Sequence, residues 1–156
     1  MLSKFQSHIK SNYSFLLKER FILCCSAGVD SVVLLHLFKA MTSDFVVAHC
    51  NYNLRKDFSN MDEKFVKDLC EKENLKFYSK SFDKLKIKKK LKKSTQVVAR
   101  ELRYEFFEDL SKKININYIL TAHHMNDSME SFFINLSRGS GIDGLIGIPE
   151  NNGKIL

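Results

Sequence analysis

An α/β fold, a doubly wound parallel sheet with helices on both faces, is what this sequence predicts, and three observations carry the prediction. Short apolar runs alternate with longer amphipathic stretches, small and polar residues gather where the apolar runs stop, and 156 residues suit one domain. Strands separated by helices of this length pair in parallel through right-handed crossovers, which places helices on both sides of the sheet. Ligands of such sheets bind outside the carboxyl ends of the strands.

The elements follow in order. RFILCCS reads as the first strand, with a helix from about Asp30; DFVVAHCN reads as the second, with a helix from about Asp57. KFYSKSF is a third strand, TQVVARELRYEFFEDLSKK a long helix, NYILTA a fourth strand and MNDSMESFFINL a further helix. The informative residues should therefore lie at Ser26 to Ser31, His49 to Arg55 and Thr121 to Glu130. The closing stretch, LSRGSGIDGLIGIPENNGKIL, concentrates glycine in a chain otherwise nearly free of it and reads as a loop, with the chain as the front part of something longer.

Composition narrows the classes. Hydrophobic residues make up 44% and charged residues 28%, an ordinary balance for a globule with one core, and no run approaches the roughly 20 apolar residues of a membrane span. The amphipathic N-terminus shows no cleavage signal, so a cytoplasmic protein is expected. Cys24, Cys25, Cys50 and Cys70 lack C-x-x-C spacing, which points to reduced, packed thiols rather than zinc. The net charge of +7 is matched by the seven lysines of KLKIKKKLKK, Lys84 to Lys93. The basicity is one local patch, either a solvated connection or an attraction for a polyanion through residues such as Lys88, Lys89 and Lys90.

The sequence S-A-G-V-D-S, Ser26, Ala27, Gly28, Val29, Asp30 and Ser31, stands between a buried strand and the helical run VVLLHLF. Small residues let backbone N–H groups approach phosphate oxygens, Gly28 permits a turn, and the positive helix end faces the anion. It is neither G-x-x-x-x-G-K-[ST] nor G-x-G-x-x-G. Plain helix capping by Ser26 and Asp30 is the competing reading.

At the second strand end, His49, Asn51, Asn53 and Arg55 offer polar groups to an adenine ring, or else form a solvated loop. At the fourth, His123, Asp127 and Glu130 fall on one helix face. Carboxylates beside ATP phosphates suit Mg²⁺, and the set lacks the nitrogen and sulfur count of a zinc site; a capped, solvated helix start is the alternative. Arg100 and Arg103, with Tyr104, can pair with phosphates or with Glu101, Glu105 and Glu108 on their own helix, and Arg100 is the stronger candidate.

The S-A-G-V-D-S loop resembles the S-G-G-x-D-S loop of the ATP pyrophosphatases, with Ala27 as a departure. Together with A-H-C-N-Y-N-L-R, V-A-R-E-L-R-Y-E-F, T-A-H-H-M-N-D-S-M-E and R-G-S-G-I-D-G-L-I-G-I-P, it makes the stretch from Phe21 to Pro149 resemble the N-terminal PP-loop domain of the tRNA(Ile)-lysidine synthetases. The resemblance implies a Rossmann-like, adenine nucleotide alpha hydrolase-like fold over residues 1–156, without the family's downstream tRNA-binding parts. It implies ATP and Mg²⁺, L-lysine, and a tRNA(Ile) with a CAU anticodon. The wobble cytidine would be adenylated at C2 and lysine would displace AMP, giving lysidine.

By matching position, the resemblance implies that Ser26 to Ser31 bind the pyrophosphate moiety, that Ala48, His49, Cys50 and Asn51 border the adenine, and that Arg100 holds phosphate. Asp30 and Asp127 would serve Mg²⁺ or the lysine amine, with Glu130 as a further metal ligand. Arg138, Gly139, Ser140, Gly141 and Gly144 would close over the reacting centre. Tyr52 stands where the family usually has histidine, Asn126 where aspartate is common and Ser128 where glutamine is common. Given the missing downstream parts, the chain alone is expected to bind ATP but to modify tRNA weakly or not at all. The rivals are a tRNA-thiolating relative of the 2-thiocytidine type, whose iron–sulfur cluster Cys24 and Cys25 do not suit, and an ATP-binding module without chemistry.

Overall fold

A computed structural model describes residues 1–42, 44–54, 57–83, 95–122 and 156. The elements are α1 (Leu2–Asn12), a 3-10 turn (Ser14–Leu17), β1 (Phe21–Cys24), α2 (Val29–Lys39), β2 (Phe45–Asn51), α3 (Asp57–Lys72), β3 (Lys76–Ser81), α4 (Thr95–Ile114) and β4 (Tyr118–Thr121). Each predicted strand and helix within the described residues is present, its ends shifted by a residue or two. The expected helix MNDSMESFFINL lies outside them.

The sheet runs β3-β2-β1-β4 and every pair is parallel. Residue parity decides which side chain meets which layer. Phe21, Leu23 and Cys25, with Phe45 and Val47, join Ile9 of α1, Leu35 and Phe38 of α2, and Val66 and Cys70 of α3 in one apolar cluster. Ile22 and Cys24, with Val46 and Ala48, join Val98, Phe106, Phe107 and Leu110 of α4 in the other. Helices therefore cover both faces, as the alternation predicted.

All four residues of β1 are buried, because a central parallel strand faces helices on both sides. Phe21 stacks on Phe45 with ring centroids 5.2 Å apart and planes 5° apart, and meets Phe38 at 4.8 Å. This aromatic packing anchors the strand whose carboxyl end carries the S-A-G-V-D-S loop.

The strand order switches at β1, with β2 on one side and β4 on the other, and the carboxyl ends of β1 and β4 are the place where such sheets bind ligands. On the outer edge of β4, Leu156 donates its N–H to the Ile119 carbonyl at 2.9 Å and accepts from Thr121 N–H at 2.9 Å. Among the described residues, no helix is long and apolar enough to cross a membrane.

Candidate functional site: a phosphate cradle at the sheet's switch point

The loop after β1 is tied together by one hydroxyl. Ser31 Oγ donates to the Gly28 carbonyl at 2.8 Å, accepts from Ser26 N–H at 3.1 Å, and lies 3.3 Å from Ser26 Oγ and 3.6 Å from the Cys25 thiol. Gly28 N–H in turn donates to Ser26 Oγ at 3.3 Å. No side chain caps the N-terminus of α2, whose N-cap is Gly28 and whose first turn carries Asp30. Ser26 Oγ thus serves the N-cap amide of Gly28, as the capping reading in part expected, and the positive end of the helix is left facing the cavity, where it favours an anion.

The turn itself is made by Ala27, whose departure from the S-G-G-x-D-S pattern puts its backbone angle in question. Ala27 takes φ 70°, in the left-handed region, whereas Gly28 is extended at φ −71°. Gly28 serves closeness instead: a Cβ there would stand 3.2 Å from Ser26 Oγ, so the serine would have to give way in the space it uses to reach the Gly28 amide. An L-residue at positive φ is strained, so Ala27→Gly is expected to stabilise the chain by up to about 1 kcal/mol. A thermal melt checks this, and a rise of a few degrees is expected.

A cavity of about 240 Å³ opens beside the loop, lined by Cys24, Cys25, Ser26, Gly28, Asp30 and Ser31, by Ala48, Cys50 and Tyr52 past β2, by Arg103 and Phe107 of α4, and by Thr121 and Ala122 after β4. It lies where β1 and β4 part, on the α4 side of the sheet. Its interior is mixed: thiol, methyl and phenyl groups form an apolar bed, and a carboxylate, a guanidinium, a phenol and hydroxyls supply the polar contacts, which is how small-molecule sites are built.

Strand alternation divides the residues expected around adenine. Ala48 and Cys50 line the cavity, while His49 and Asn51 are buried on the opposite side. His49 Nδ1–H donates to the Cys25 carbonyl at 2.8 Å, which ties β2 to the start of the phosphate loop. Asn51 Nδ2 donates to Glu63 Oε2 at 2.7 Å and Asn60 Oδ1 at 3.1 Å, both on α3. Partial burial pushes the Glu63 carboxyl up, but hydrogen bonds from Ser79 and Asn51 outweigh it and hold the group below its ordinary value. These two side chains brace the site from behind.

The long helix sorts the arginines in the same way. Arg100 is exposed, its guanidinium 5.3 Å from the Tyr104 ring centroid, whereas Arg103 lines the cavity and its Nε is buried with no hydrogen-bond partner among the described residues. Tyr52 Oη is likewise buried, with the Cys50 thiol and the Arg103 guanidinium beside it. Withdrawing a guanidinium Nε from water without a partner is costly, and an anion in the cavity would supply one. The sequence reading gave the cavity role to neither, although it weighed Arg103 as the weaker arginine and noted Tyr52 as a departure.

Two thiols of the cavity, those of Cys24 and Cys50, are held neutral. Burial, with Cys50 adding to it, raises Cys24 well above the ordinary thiol value, and burial pushes Cys50 up to about 11 although Tyr52, Arg103 and Lys80 oppose it. Because only thiolate reacts, Cys50 is expected to alkylate with iodoacetamide about tenfold faster for each pH unit between 8 and 10, read by peptide mass spectrometry. Cys25 lines the same cavity although its cluster is on the other face, and Cys70 lies away from it, so three of the four cysteines meet there and the four do not converge on one site.

Arg55, Lys88, Lys89 and Lys90, His123, Asn126, Asp127, Ser128 and Glu130, and the glycine-rich residues Arg138, Gly139, Ser140, Gly141 and Gly144 lie outside the described residues. Among the described residues, no group of three His, Cys, Asp or Glu side chains could hold a metal. Asp30 is the carboxylate of the described cavity lining. One carboxylate together with phosphate oxygens is an ordinary way to hold Mg²⁺, so Asp30 fits that ion as one ligand.

Comparison with known proteins gives a consistent picture. Residues 1–155 match the PP-loop domain family. The tRNA(Ile)-lysidine synthase of Bacteroides thetaiotaomicron is 37% identical over 149 residues, 96% of this chain and 35% of that protein. That of Chlorobaculum tepidum is 42% identical over 139 residues, 86% of this chain and 42% of that protein. The chain thus spans well under half the length of these curated relatives. In fold it is similar to the U34-tRNA thiolase NcsA of Methanococcus maripaludis, with TM-score 0.69, 16% identity, and coverage of 86% of this chain and 49% of that one. It is also similar to the NH3-dependent NAD synthetase of Campylobacter jejuni, with TM-score 0.54, 14% identity, and coverage of 85% and 56%.

Proposed function

We propose that this chain, which belongs to the PP-loop domain family, is the ATP-cleaving part of a tRNA(Ile)-lysidine synthetase. The observation that carries the ATP reading is the N-terminus of helix α2 behind a loop closed by Ser31, opening onto a cavity that the Arg103 guanidinium lines. The similarity to lysidine synthases over most of the chain supports the substrates.

In this reading the pyrophosphate of ATP lies on the amides of Gly28 to Ser31. The C2 carbonyl oxygen of the wobble cytidine in a CAU anticodon attacks the α-phosphorus, and the bond to pyrophosphate breaks. The ε-amine of L-lysine then attacks C2, the C2–O bond breaks and AMP leaves, while the amine's surplus proton passes to a carboxylate or to water. The loop amides and the α2 dipole stabilise the charge gathering on pyrophosphate, and Arg103 neutralises the α-phosphate as the attacking oxygen approaches. Mg²⁺, when bound, supplies further neutralisation of that charge, with Asp30 and, by the family pattern, Asp127 and Glu130 as its candidate ligands. Asp30 and Asp127 are equally the candidates for orienting the amine and taking its proton.

The fold is shared with a tRNA thiolase, so one experiment separates the two chemistries. The intact protein carrying residues 1–156 is incubated with a CAU-anticodon tRNA, ATP, Mg²⁺ and either labelled lysine or a labelled sulfur donor. Lysine label entering the tRNA, with one AMP and one pyrophosphate per lysine, is the expected result. Sulfur label entering instead, or no pyrophosphate in either mixture, contradicts it.

A further inference from the structure

We infer that His49 is a positioning residue for phosphate binding, one that touches no ligand and acts through the peptide joining Cys25 to Ser26; the inference rests on the ATP reading above and deepens it. By strand alternation β2 presents Phe45, Val47 and His49 to one face, and the first two lie in the apolar cluster with α2 and α3. The row thus turns from hydrocarbon to imidazole beside the place where β1 gives way to the loop. His49 is 3% exposed, and a buried ring nitrogen is costly unless it is bonded.

Its bond falls on the joint between strand and loop. Nδ1–H donates to the Cys25 carbonyl at 2.8 Å, and Cys25 N–H donates to the carbonyl of Ala48, the residue before His49, at 2.9 Å. Cys25 is therefore tied to β2 at both of its backbone polar groups. At the far end of the Cys25–Ser26 peptide, Ser26 N–H donates to Ser31 Oγ at 3.1 Å. A trans peptide is rigid and holds its C=O and N–H pointing opposite ways, so imidazole and hydroxyl together fix its rotation.

That rotation matters to an anion. Ala27, the next residue along, takes φ 70°, and a turn this tight carries any change in its first peptide on to the amides of Gly28 to Ser31. Turned the other way, the Cys25 carbonyl would aim the negative end of its dipole at the cavity that Cys25 and Ser26 line, against the phosphates. Ser31 holds the peptide from the loop side and His49 holds it from behind the sheet. His49 thus serves the phosphates of ATP rather than the adenine that its place at the end of β2 suggested.

Calorimetric titration of the full chain with α,β-methylene-ATP and, separately, with tripolyphosphate tests this, with a ligand-free thermal melt of each variant. His49→Leu removes the donor. His49→Asn restores it, because the amide nitrogen, like imidazole Nδ1, is one bond from Cγ, whereas His49→Gln carries its amide one bond too far. The Leu and Gln variants are expected to bind both ligands about five- to tenfold more weakly, and the Asn variant within about twofold of wild type. Should His49→Leu fail to fold, the contrast between Asn and Gln carries the test. Unchanged affinities with only a lowered melting temperature would make the imidazole structural and overturn the inference. A loss confined to α,β-methylene-ATP would assign His49 to the base and overturn it too, as would an Asn variant no better than Gln. A wild-type chain that binds neither ligand overturns the ATP reading itself, a result distinct from any difference among the variants.

Discussion

Arg103→Ala is expected to lower the affinity of the chain for α,β-methylene-ATP on the order of 100-fold, while Arg100→Ala changes it less than about twofold. The two residues are one helical turn apart and carry the same charge, so the contrast isolates position. Arg103 reaches the cavity with its Nε buried and unpartnered, and Arg100 is exposed beside Tyr104. A charge-assisted hydrogen bond to phosphate inside a cleft is worth about 1.5–3 kcal/mol, whereas an exposed cation near the site is screened by water and salt. A ligand-free thermal melt of Arg103→Ala reads separately what the guanidinium contributes to stability beside the Tyr52 hydroxyl. Equal losses from both substitutions would show that only the summed positive charge matters.

Ser31→Ala is expected to weaken binding of the same analogue on the order of 30-fold and to lower ligand-free stability by about 1–2 kcal/mol. The hydroxyl is nearly enclosed, 4% exposed, and serves the Ser26 amide, the Gly28 carbonyl, the Ser26 hydroxyl and the Cys25 thiol together. Alanine leaves the Ser26 N–H without that acceptor and releases the turn that presents the α2 amides. Tripolyphosphate binding is expected to fall in parallel, because the loop serves the phosphates and not the base. Isothermal titration and denaturant melts on the two variants read both effects.

Much of this was legible in the sequence because the fold depends on coarse periodicity. FILC and FVVAHCN announce strands buried on both sides, and the helices between them force parallel pairing and a crevice at the carboxyl ends. The S-A-G-V-D-S loop was placed correctly for the same reason. Its internal division of labour was less visible: glycine invites the assumption that it makes the turn, yet Ala27 takes the left-handed angle and Gly28 the close approach.

The finer site required knowing which way each side chain faces. Period-2 alternation sends Ala48, Cys50 and Tyr52 to the α4 side and His49 and Asn51 to the α3 side, a split the sequence contains but that treating the strand end as one cluster of polar groups blurs. Helix phase does not separate the arginines: Ala99, Phe106, Phe107, Leu110 and Ser111 are buried on α4, and Arg100, seven residues before Phe107, shares their side as Arg103 does, yet Arg103 lines the cavity and Arg100 is exposed. The bond from His49 to the Cys25 carbonyl joins residues 24 positions apart, and no local pattern announces a contact of that range.

The central claim is that ATP occupies the crevice between the carboxyl ends of β1 and β4, with its pyrophosphate on the loop from Ser26 to Ser31. It is tested most directly by titrating the ¹⁵N-labelled chain with α,β-methylene-ATP and Mg²⁺ and following the backbone amides of Gly28 to Ser31 together with Arg103 Nε–H. The account predicts saturable shifts at those amides and at Arg103, with Arg100 and the α3 residues Asn60 and Glu63 little changed. Saturation with the loop amides and Arg103 unmoved, and the shifts gathered elsewhere on the molecule, would contradict it.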